Sequence, residues 1–231
     1  MTEIKFSKYP FGTKIRHHVS TNNYLPIEEL KFIPESYPEA LKTIDWTSLF
    51  ANGNAPKYLD IGCGRGKFLI LRSFELSNDN ILGLEIRPEP VNWINDVVEG
   101  ESIGNCRALH YSVANNMPFV ESNSVNEIYY LFPDPWNKRK HYKKRAFTAK
   151  FVSECHRVLA DDGKLFLATD VPEVHTYQIN LLSKTGLFDV KILNSRDEWQ
   201  LPVTNKERFC IRKNIDVYRT ICTKVKPSVG G

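Results

Sequence analysis

The sequence predicts an α/β fold in which a mostly parallel sheet carries helices on both faces. After residue 57, short apolar runs of strand length alternate with stretches of helix length, which is the pattern of repeated strand–helix–strand units. A glycine-rich segment, residues 62–66, directly follows the first run, and such loops line the ligand crevice of doubly wound sheets. The composition is that of a globular chain, because 42% of the 231 residues are hydrophobic and 25% are charged.

The N-terminal part of the chain differs from the rest and predicts an arm over residues 1–55. This part is rich in proline and polar residues and has no sustained hydrophobic period, so we expect extended segments and turns. One short helix is predicted near residues 39–50. Residues 56–231 contain no linker-like stretch, which predicts a single domain after the arm.

Each element of this domain has a local signal. Strands are predicted where apolar or β-branched residues stand together, and helices where apolar residues recur every three or four positions. Pro88 is placed to start the second helix, and the segment DDG at 161–163 predicts a turn before a strand. The predicted strands are residues 58–61, 81–86, 106–111, 127–132, 164–169, 190–193 and 217–223, and the predicted helices are residues 67–76, 88–98, 146–159 and 172–184.

Several classes of protein do not fit the sequence. No apolar run approaches the ~18 residues that cross a bilayer, and the N-terminus lacks the apolar stretch of a secretory signal. The five cysteines are scattered and form no C-x-x-C pair, which predicts neither a disulfide framework nor a zinc site. We therefore expect a protein of the reducing cytoplasm with no membrane segment and no bound metal.

The net charge of +4 is unevenly distributed along the chain. Residues 1–115 hold 12 Lys/Arg against 14 Asp/Glu, whereas residues 116–231 hold 19 against 13. Between positions 138 and 150 there are seven Lys/Arg residues and no acid. A block of this density indicates contact with a polyanion, and the alternative interpretation is a solvated helix face.

The glycine loop predicts a site for a cationic ligand. In the segment DIGCGRG (residues 60–66), Asp60 stands two residues before Gly62, and the spacing G-x-G-x-G differs from the dinucleotide fingerprint. Asp60 would repel an anion, whereas S-adenosylmethionine offers an ammonium and a sulfonium. Glu85 ends the second strand, where a carboxylate can accept from both hydroxyls of a ribose. A nucleotide-dependent dehydrogenase and a structural turn stay open as alternatives.

The loops after the third and fourth strands supply two more candidate positions. Ser112-Val113 follows the third strand, and its backbone amides are placed to hold adenine. The fourth strand ends in FPDPW (residues 132–136), where two prolines stiffen the loop that carries Asp134. A fixed carboxylate can accept hydrogen bonds from guanine N1–H and its N2 amino group, and Trp136 can stack on a base. The alternative is a proline-bracketed structural turn.

Taken together, these motifs resemble those of the tRNA (guanine-N(7)-)-methyltransferases. That family's signature is FPDPW followed by a basic stretch, matched here by residues 132–136 and 138–145. Its E-I-R is matched at 85–87, its T-D after the fifth strand at 169–170, and its late T-x-x-E at 204–207. The resemblance covers residues 57–207 through motifs in the same order.

The resemblance implies the Rossmann-like class I S-adenosylmethionine-dependent methyltransferase fold, with a mostly parallel seven-stranded sheet. It implies methyl transfer to N7 of a guanosine in tRNA, usually position 46 of the variable loop, with Asp134 as the catalytic or guanine-orienting acid. The cofactor-binding candidates are Asp60, Gly62, Gly64, Glu85, Ile86, Arg87, Ser112 and Val113. The substrate-binding candidates are Trp136, Lys138, Arg139, Lys143, Lys144, Arg145, Asp170, Thr204 and Glu207.

Two departures from the family pattern are visible. Ser112 stands where the family usually has Asn or Asp, and a glycine often found after T-x-x-E has no counterpart between residues 209 and 217. Two alternatives stay open: an exocyclic-amine methyltransferase, although the second proline of its loop is missing here, and an inactive tRNA-binding scaffold. Eukaryotic members work with a β-propeller partner and bacterial members act alone; the short arm favours the second case.

Overall fold

The predicted alternation of strands and helices is present in the computed structural model, which describes residues 4–11, 21–76, 78–135 and 146–226. The strands are β1 Tyr58–Ile61, β2 Ile81–Glu85, β3 Cys106–His110, β4 Val125–Leu131, β5 Leu159–Thr169, β6 Phe188–Leu193 and β7 Tyr218–Lys224. The helices are α1 Lys67–Glu75, α2 Pro88–Gly100, α3 Ala149–Val158, α4 Pro172–Thr185 and α5 Asn205–Lys213.

The strands form one sheet in the order β3-β2-β1-β4-β5-β7-β6. The first five of these strands are parallel to one another, whereas β7 runs antiparallel to both β5 and β6. The strand order reverses between β1 and β4, and ligands of doubly wound sheets bind at this point, outside the carboxyl ends of the strands. The loops after β1, β2 and β4 therefore meet at one crevice.

Helices cover both faces of the sheet, and neighbouring strand residues alternate between the two cores. Ile81 and Tyr129 point into a core shared with α1 and α2, while Leu82 and Ile128 point into a core shared with α3 and α4. All four of these side chains are fully buried. This period of two is what a sheet buried on both faces requires.

The helix predicted near residues 39–50 is wrong. Only Trp46–Ser48 is helical there, as a single 3-10 turn. Asp45 caps the start of this turn in an extended conformation, and its carboxylate accepts from the Thr47 amide and hydroxyl. A helix therefore cannot run through Asp45 from the preceding residues. At the predicted DDG turn, Asp162 has a φ of 61° within the longer strand β5.

The helix α5 is not among the helices predicted from the sequence. Its sequence is strongly polar, and only Glu207 and Cys210 are buried, so it shows no apolar period that sequence reasoning could use. The available signal was the pattern T-x-x-E at 204–207, which is a helix-start pattern. Thr204 does cap the helix, because its side chain accepts from the Glu207 amide.

The described parts of the arm lie against the domain. The Trp93 indole of α2 donates to the Tyr9 carbonyl at 2.9 Å, and the Phe6 ring stacks on Trp93. The Tyr9 hydroxyl donates to Glu101 at 2.9 Å. The division into an arm over 1–55 and a domain over 56–231 stays a prediction. No helix in the described part of the chain is both long and apolar enough to cross a membrane.

Candidate cofactor and substrate site

A cavity of about 330 Å³ lies at the carboxyl ends of β1, β2 and β4, which is a volume typical of small-molecule sites. Its walls come from the glycine loop, the ends of β2 and β3, the loop after β4, the start of α5 and the arm residue Tyr24. The predicted site residues that line it are Asp60, Gly62, Gly64, Glu85, Ile86, Arg87, Ser112, Val113, Asp134 and Thr204. The structure therefore brings most of the described candidates together.

The glycine loop needs its glycines for two different reasons. Gly62, Gly64 and Gly66 have φ values of 73°, 55° and 64°, a region that side chains other than glycine rarely adopt. A β-carbon on Gly66 would also lie 2.3 Å from Cγ1 of Ile94 in α2, so this glycine permits close helix packing. No atom lies within 4 Å of the position for a β-carbon on Gly62, which leaves the backbone open to a ligand.

The Glu85 carboxylate is held by donors from this chain. It accepts from the Gly64 amide at 2.8 Å and from the Arg87 amide at 3.1 Å. The Arg87 guanidinium adds two bonds, at 2.9 and 3.3 Å. Because a carboxylate has about four acceptor sites, a ribose diol at Glu85 would have to displace the Arg87 side chain.

Asp60 differs from Glu85, because no side-chain donor within the described residues reaches it. Its residue is 3% exposed. Burial, and then the charge of Glu85, raise the pKa of Asp60 to about 8. A buried carboxylate in this position is stabilised by a cation placed against it, and that is the property required of an ammonium-binding residue.

Ser112 holds the arm beside the position predicted for adenine. Its hydroxyl donates to the Asn23 carbonyl at 2.8 Å, and Asn23 is fully buried. Nearby, the Asn115 side chain accepts from the Ile27 amide at 2.8 Å. The Ser112 side chain is therefore used to hold the arm, while the adjoining Val113 lines the cavity.

The loop after β4 presents Asp134 at the cavity in an exposed position. Phe132, which begins the loop, has a φ of 52°, an uncommon value for a bulky residue that marks functional sites. The Phe132 amide donates to the Ala168 carbonyl at 2.7 Å, which fixes the loop to β5. The hydroxyl of Tyr24 donates to Asp134 at 3.4 Å, and burial raises the pKa of Tyr24.

Tyr24 was missed by the sequence analysis. It belongs to the aperiodic arm and meets Asp134 across a separation of 110 residues, which no local pattern reveals. Its neighbours in the cavity include Glu85 and Arg87. Tyr24 is therefore bonded to the acid proposed for guanine and lies within electrostatic reach of the acid proposed for the ribose.

The remaining described substrate candidates lie around α5 and divide into two groups. Thr204 lines the cavity, and Asp170 is paired with Lys206 at 2.7 Å. Glu207 is 1% exposed and lies outside the cavity lining. Its carboxylate accepts from Arg196 at 2.9 Å and from Arg219 at 2.6 Å. In this arrangement the Glu207 carboxylate ties α5 to Arg196 and Arg219, and its role in substrate binding stays a prediction.

The missing glycine after T-x-x-E has a structural replacement. Asn214 ends α5 with φ 51° and ψ 46°, and its amide donates to the carbonyls of Cys210 and Ile211. This is the left-handed helix end that glycine usually supplies and that asparagine can adopt. The other substrate candidates, Trp136, Lys138, Arg139, Lys143, Lys144 and Arg145, lie outside the described residues.

The cavity fits S-adenosylmethionine on two observations. Asp60 offers a buried carboxylate without a side-chain donor in the described chain, and the open backbone at Gly62 lets a ligand approach. Glu85 stands at the end of the neighbouring strand, where a ribose would follow. No group of three or more possible metal ligands occurs among the described residues.

Solved structures with the same fold place the chain in a class. A SAM-dependent O-methyltransferase from Thermotoga maritima has a TM-score of 0.53 at 14% identity, covering 80% of this chain and 64% of that one. A 16S rRNA methyltransferase has a TM-score of 0.54 at 16% identity, covering 78% of this chain and 90% of that one. The fold is that of the class I S-adenosylmethionine-dependent methyltransferases, which confirms the expected fold class.

Sequence comparisons narrow the class to a family. The family described as "Putative methyltransferase" matches residues 54–220. The tRNA (guanine-N(7)-)-methyltransferase of Yarrowia lipolytica is 32% identical over 165 residues, which is 66% of this chain and 56% of that relative's length. The protein of the same name from Thermosynechococcus vestitus is 29% identical over 192 residues, covering 81% of this chain and 89% of the relative. The chain belongs to the tRNA (guanine-N(7)-)-methyltransferase family.

Proposed function

We propose that this protein transfers the methyl group of S-adenosylmethionine to N7 of a guanosine in tRNA, in the variable loop at position 46. The observation that carries the proposal is the position of Asp134. Its carboxylate lies at the same cavity as Asp60 and Glu85, on a loop fixed by two prolines and by the Phe132–Ala168 bond. A guanine held there meets the cofactor site directly.

Methyl transfer to guanine N7 does not need a general base. Guanine N7 carries a lone pair and has no proton to lose, so attack on a methyl carbon needs no deprotonation. When bound, S-adenosylmethionine supplies an electrophilic methyl group. Asp134 accepts from the guanine N1–H and N2 amino group and stabilises the positive charge that grows on the ring. Tyr24, bonded to Asp134, restricts the orientations of that carboxylate.

The cofactor is held by two acids with different tasks in this proposal. Asp60 pairs with the ammonium group, which stabilises its buried negative charge. Glu85 accepts from the ribose hydroxyls in place of the Arg87 guanidinium, and Arg87 then becomes available at the cavity wall. The backbone amides at Ser112-Val113 hold the adenine ring.

We also propose that the chain acts on tRNA without an obligatory protein partner, in the cytoplasm. The arm, through Tyr24, and the domain of this chain both line the described cavity. All five cysteines are unpaired, which fits a reducing compartment. A β-propeller subunit would be the alternative for a eukaryotic source, and the purified chain tested alone distinguishes the two.

The test is analysis of the product nucleosides. Unmodified tRNA is incubated with the purified chain and S-adenosylmethionine, and we expect 7-methylguanosine by mass spectrometry, mapped to the variable loop by cleavage at the modified base. Asp134→Asn keeps one acceptor oxygen and should lower the single-turnover rate by about two to three powers of ten, as for one lost electrostatic group at about 2.7–4 kcal/mol. Asp134→Ala should be slower still.

Three results would contradict parts of the proposal. A methyl group found on an exocyclic amine would favour the alternative methyltransferase class. Tight tRNA binding with no cofactor binding and no product would favour an inactive scaffold. An Asn variant no faster than the Ala variant, with a steep loss of parent activity at acid pH, would make Asp134 a general base instead.

A further inference from the structure

The exposed face of α5 has a charge arrangement that the fold does not explain. Arg208 and Arg212 are exposed and lie four positions apart on one helix, and like charges at this spacing destabilise a helix. Within the described residues, neither side chain has a carboxylate within 4 Å. Arg212 and Lys213 lie in the last turn, where cations are favoured by the helix dipole. Arg208 lies in mid-helix and has no such explanation.

The helix α5 packs so that this face points outward. Thr204 caps its first turn, and the buried Glu207 pairs with Arg196 and Arg219. Glu207 and Cys210 are the buried residues of the helix, and they are one turn apart on the inner side. The ion pairs therefore set the rotation of α5 and fix Arg208 and Arg212 on the outer side.

The outward face continues into the rim of the cavity. Asn205 and Lys206 line the cavity, and so does Lys67 of α1. Burial and the charge of Arg208 lower the pKa of Lys67, which places Arg208 within electrostatic reach of Lys67. Lys67 itself lies over the Phe6 ring at 5.3 Å. The rim formed by α1 and α5 therefore carries Lys67 and Arg208 as well as Lys206, which is paired with Asp170.

An aromatic side chain lies among these cations. Phe209 is 40% exposed and lies between Arg208 and Arg212 in sequence, with the Lys206 ammonium 5.3 Å from its ring centroid. Cations interleaved with an exposed aromatic ring are typical of surfaces that bind a nucleic-acid strand, because phosphates meet the charges and bases stack on the ring. A helix of nine residues is about 14 Å long, enough for more than one phosphate.

We propose that the exposed face of α5, formed by Arg208, Phe209 and Arg212, binds the phosphate backbone of the substrate tRNA beside the methylated nucleotide. This inference rests on the proposed function, since the polymer that delivers a base to the cavity must pass over its rim. The T-x-x-E motif then acts through α5: Thr204 and Glu207 are positioning residues for this surface.

The test compares two double variants of equal charge change. Arg208→Gln with Arg212→Gln removes two cations from α5, and Lys164→Gln with Lys184→Gln removes two exposed cations from strand β5 and from α4, which covers the opposite face of the sheet. The dissociation constant for tRNA is measured from 50 to 200 mM salt. We expect the α5 variant to bind several-fold more weakly, with a salt slope shallower by about 0.7–0.9 per lost contact. The control should keep the parent slope.

A third variant separates charge from packing. Arg208→Lys with Arg212→Lys keeps both cations and should keep the salt slope, with unchanged cofactor affinity in all variants. An α5 slope equal to that of the control would overturn the proposal, and so would equal losses in the Gln and Lys variants. Because binding is measured without methyl transfer, a parent chain that forms no 7-methylguanosine but shows the slope difference would refute the proposed function and support this surface.

Discussion

In the ligand-free protein, the burial of Asp60 opposes the ionisation of its carboxyl group. The residue is nearly fully buried, and its pKa is raised to about 8 by burial and by Glu85. At pH 7 the carboxyl group is therefore mostly protonated, whereas a bound ammonium group favours the ionised form. Cofactor binding near neutral pH should release a proton from this residue.

The same shift makes a prediction about stability. An Asp in an unfolded chain titrates near 3.9, so the folded protein holds this proton more tightly, and the stability that the group contributes falls as pH rises from about 4 to about 8. Asp60→Asn mimics the protonated side chain. We expect its free energy of unfolding to match the parent near pH 4 and to exceed it by about 2–5 kcal/mol at pH 8.

Thermal melts across this pH range, with cofactor titrations beside them, provide the measurement. The parent's affinity for S-adenosylmethionine should rise by up to tenfold per unit between pH 6 and 7.5, and the Asn variant should bind weakly without that rise. A ligand-free Asn variant that melts below the parent at pH 8 would show that Asp60 is ionised and paired in the folded protein.

The residues of the site differ in how far sequence could predict them. Asp60 and Glu85 lie near the ends of their strands and Asp134 follows one. Parallel strands bring these ends to one edge of the sheet, so the meeting of the three acids could be predicted. Tyr24 could not, because its place depends on how an aperiodic arm packs. Glu207 matched a substrate motif by resemblance, but its burial against Arg196 and Arg219 depends on tertiary contacts.

At the scale of elements, the stability of α5 depends on the ion pairs of its buried Glu207 more than on apolar packing of the helix. The Glu207 carboxylate is 1% exposed, while Arg219 is 12% exposed and Arg196 is 38% exposed. Removing one member of such a group leaves its partners without a counter-charge. Glu207→Gln should therefore lower the free energy of unfolding by about 3 kcal/mol and loosen the start of α5.

A melting curve, cofactor affinity and tRNA affinity together test this role. We expect a lower melting temperature and weaker tRNA binding with cofactor affinity retained, because the helix and not the cavity is disturbed. Lys191→Gln serves as the control, since it breaks an exposed pair with Glu198 and exposed pairs contribute little. A Gln variant as stable as the parent but slow in single turnover would place Glu207 in contact with substrate.

The elements also show why the sheet was predictable and α5 was not. The central strands β1 and β2 are buried on both faces, so each appears in the sequence as a short, mostly apolar run. The helix α5 buries two residues only, and residues 39–50 keep Leu41, Ile44 and Leu49 against the core without forming a helix. In both segments, tertiary packing determines whether a helix forms, and the local sequence pattern does not predict it.

At the scale of the whole molecule, the site is assembled from both ends of the chain. The arm supplies Tyr24 and the C-terminal part supplies α5, with the sheet between them. The arm is held by Ser112, by Asn115 and by Tyr37, whose hydroxyl donates to the Leu25 carbonyl at 2.8 Å and lies 3.1 Å from Asn115. Docking of the arm should therefore control the rate of methyl transfer.

Tyr37→Phe tests this coupling with a small change. The side chain is 8% exposed, so loss of its hydroxyl leaves buried acceptors unpaired and should weaken arm docking by about 1–3 kcal/mol. Amide hydrogen exchange over residues 21–37 should accelerate while the amides of β1 and β4 stay protected, and the single-turnover rate should fall because Tyr24 is held less often against Asp134. Tyr9→Phe removes a bond to Glu101 in the other described arm segment and should leave exchange over residues 21–37 unchanged. A slower Tyr37→Phe enzyme whose arm amides exchange as slowly as the parent's would show that Tyr37 acts on the site without the arm.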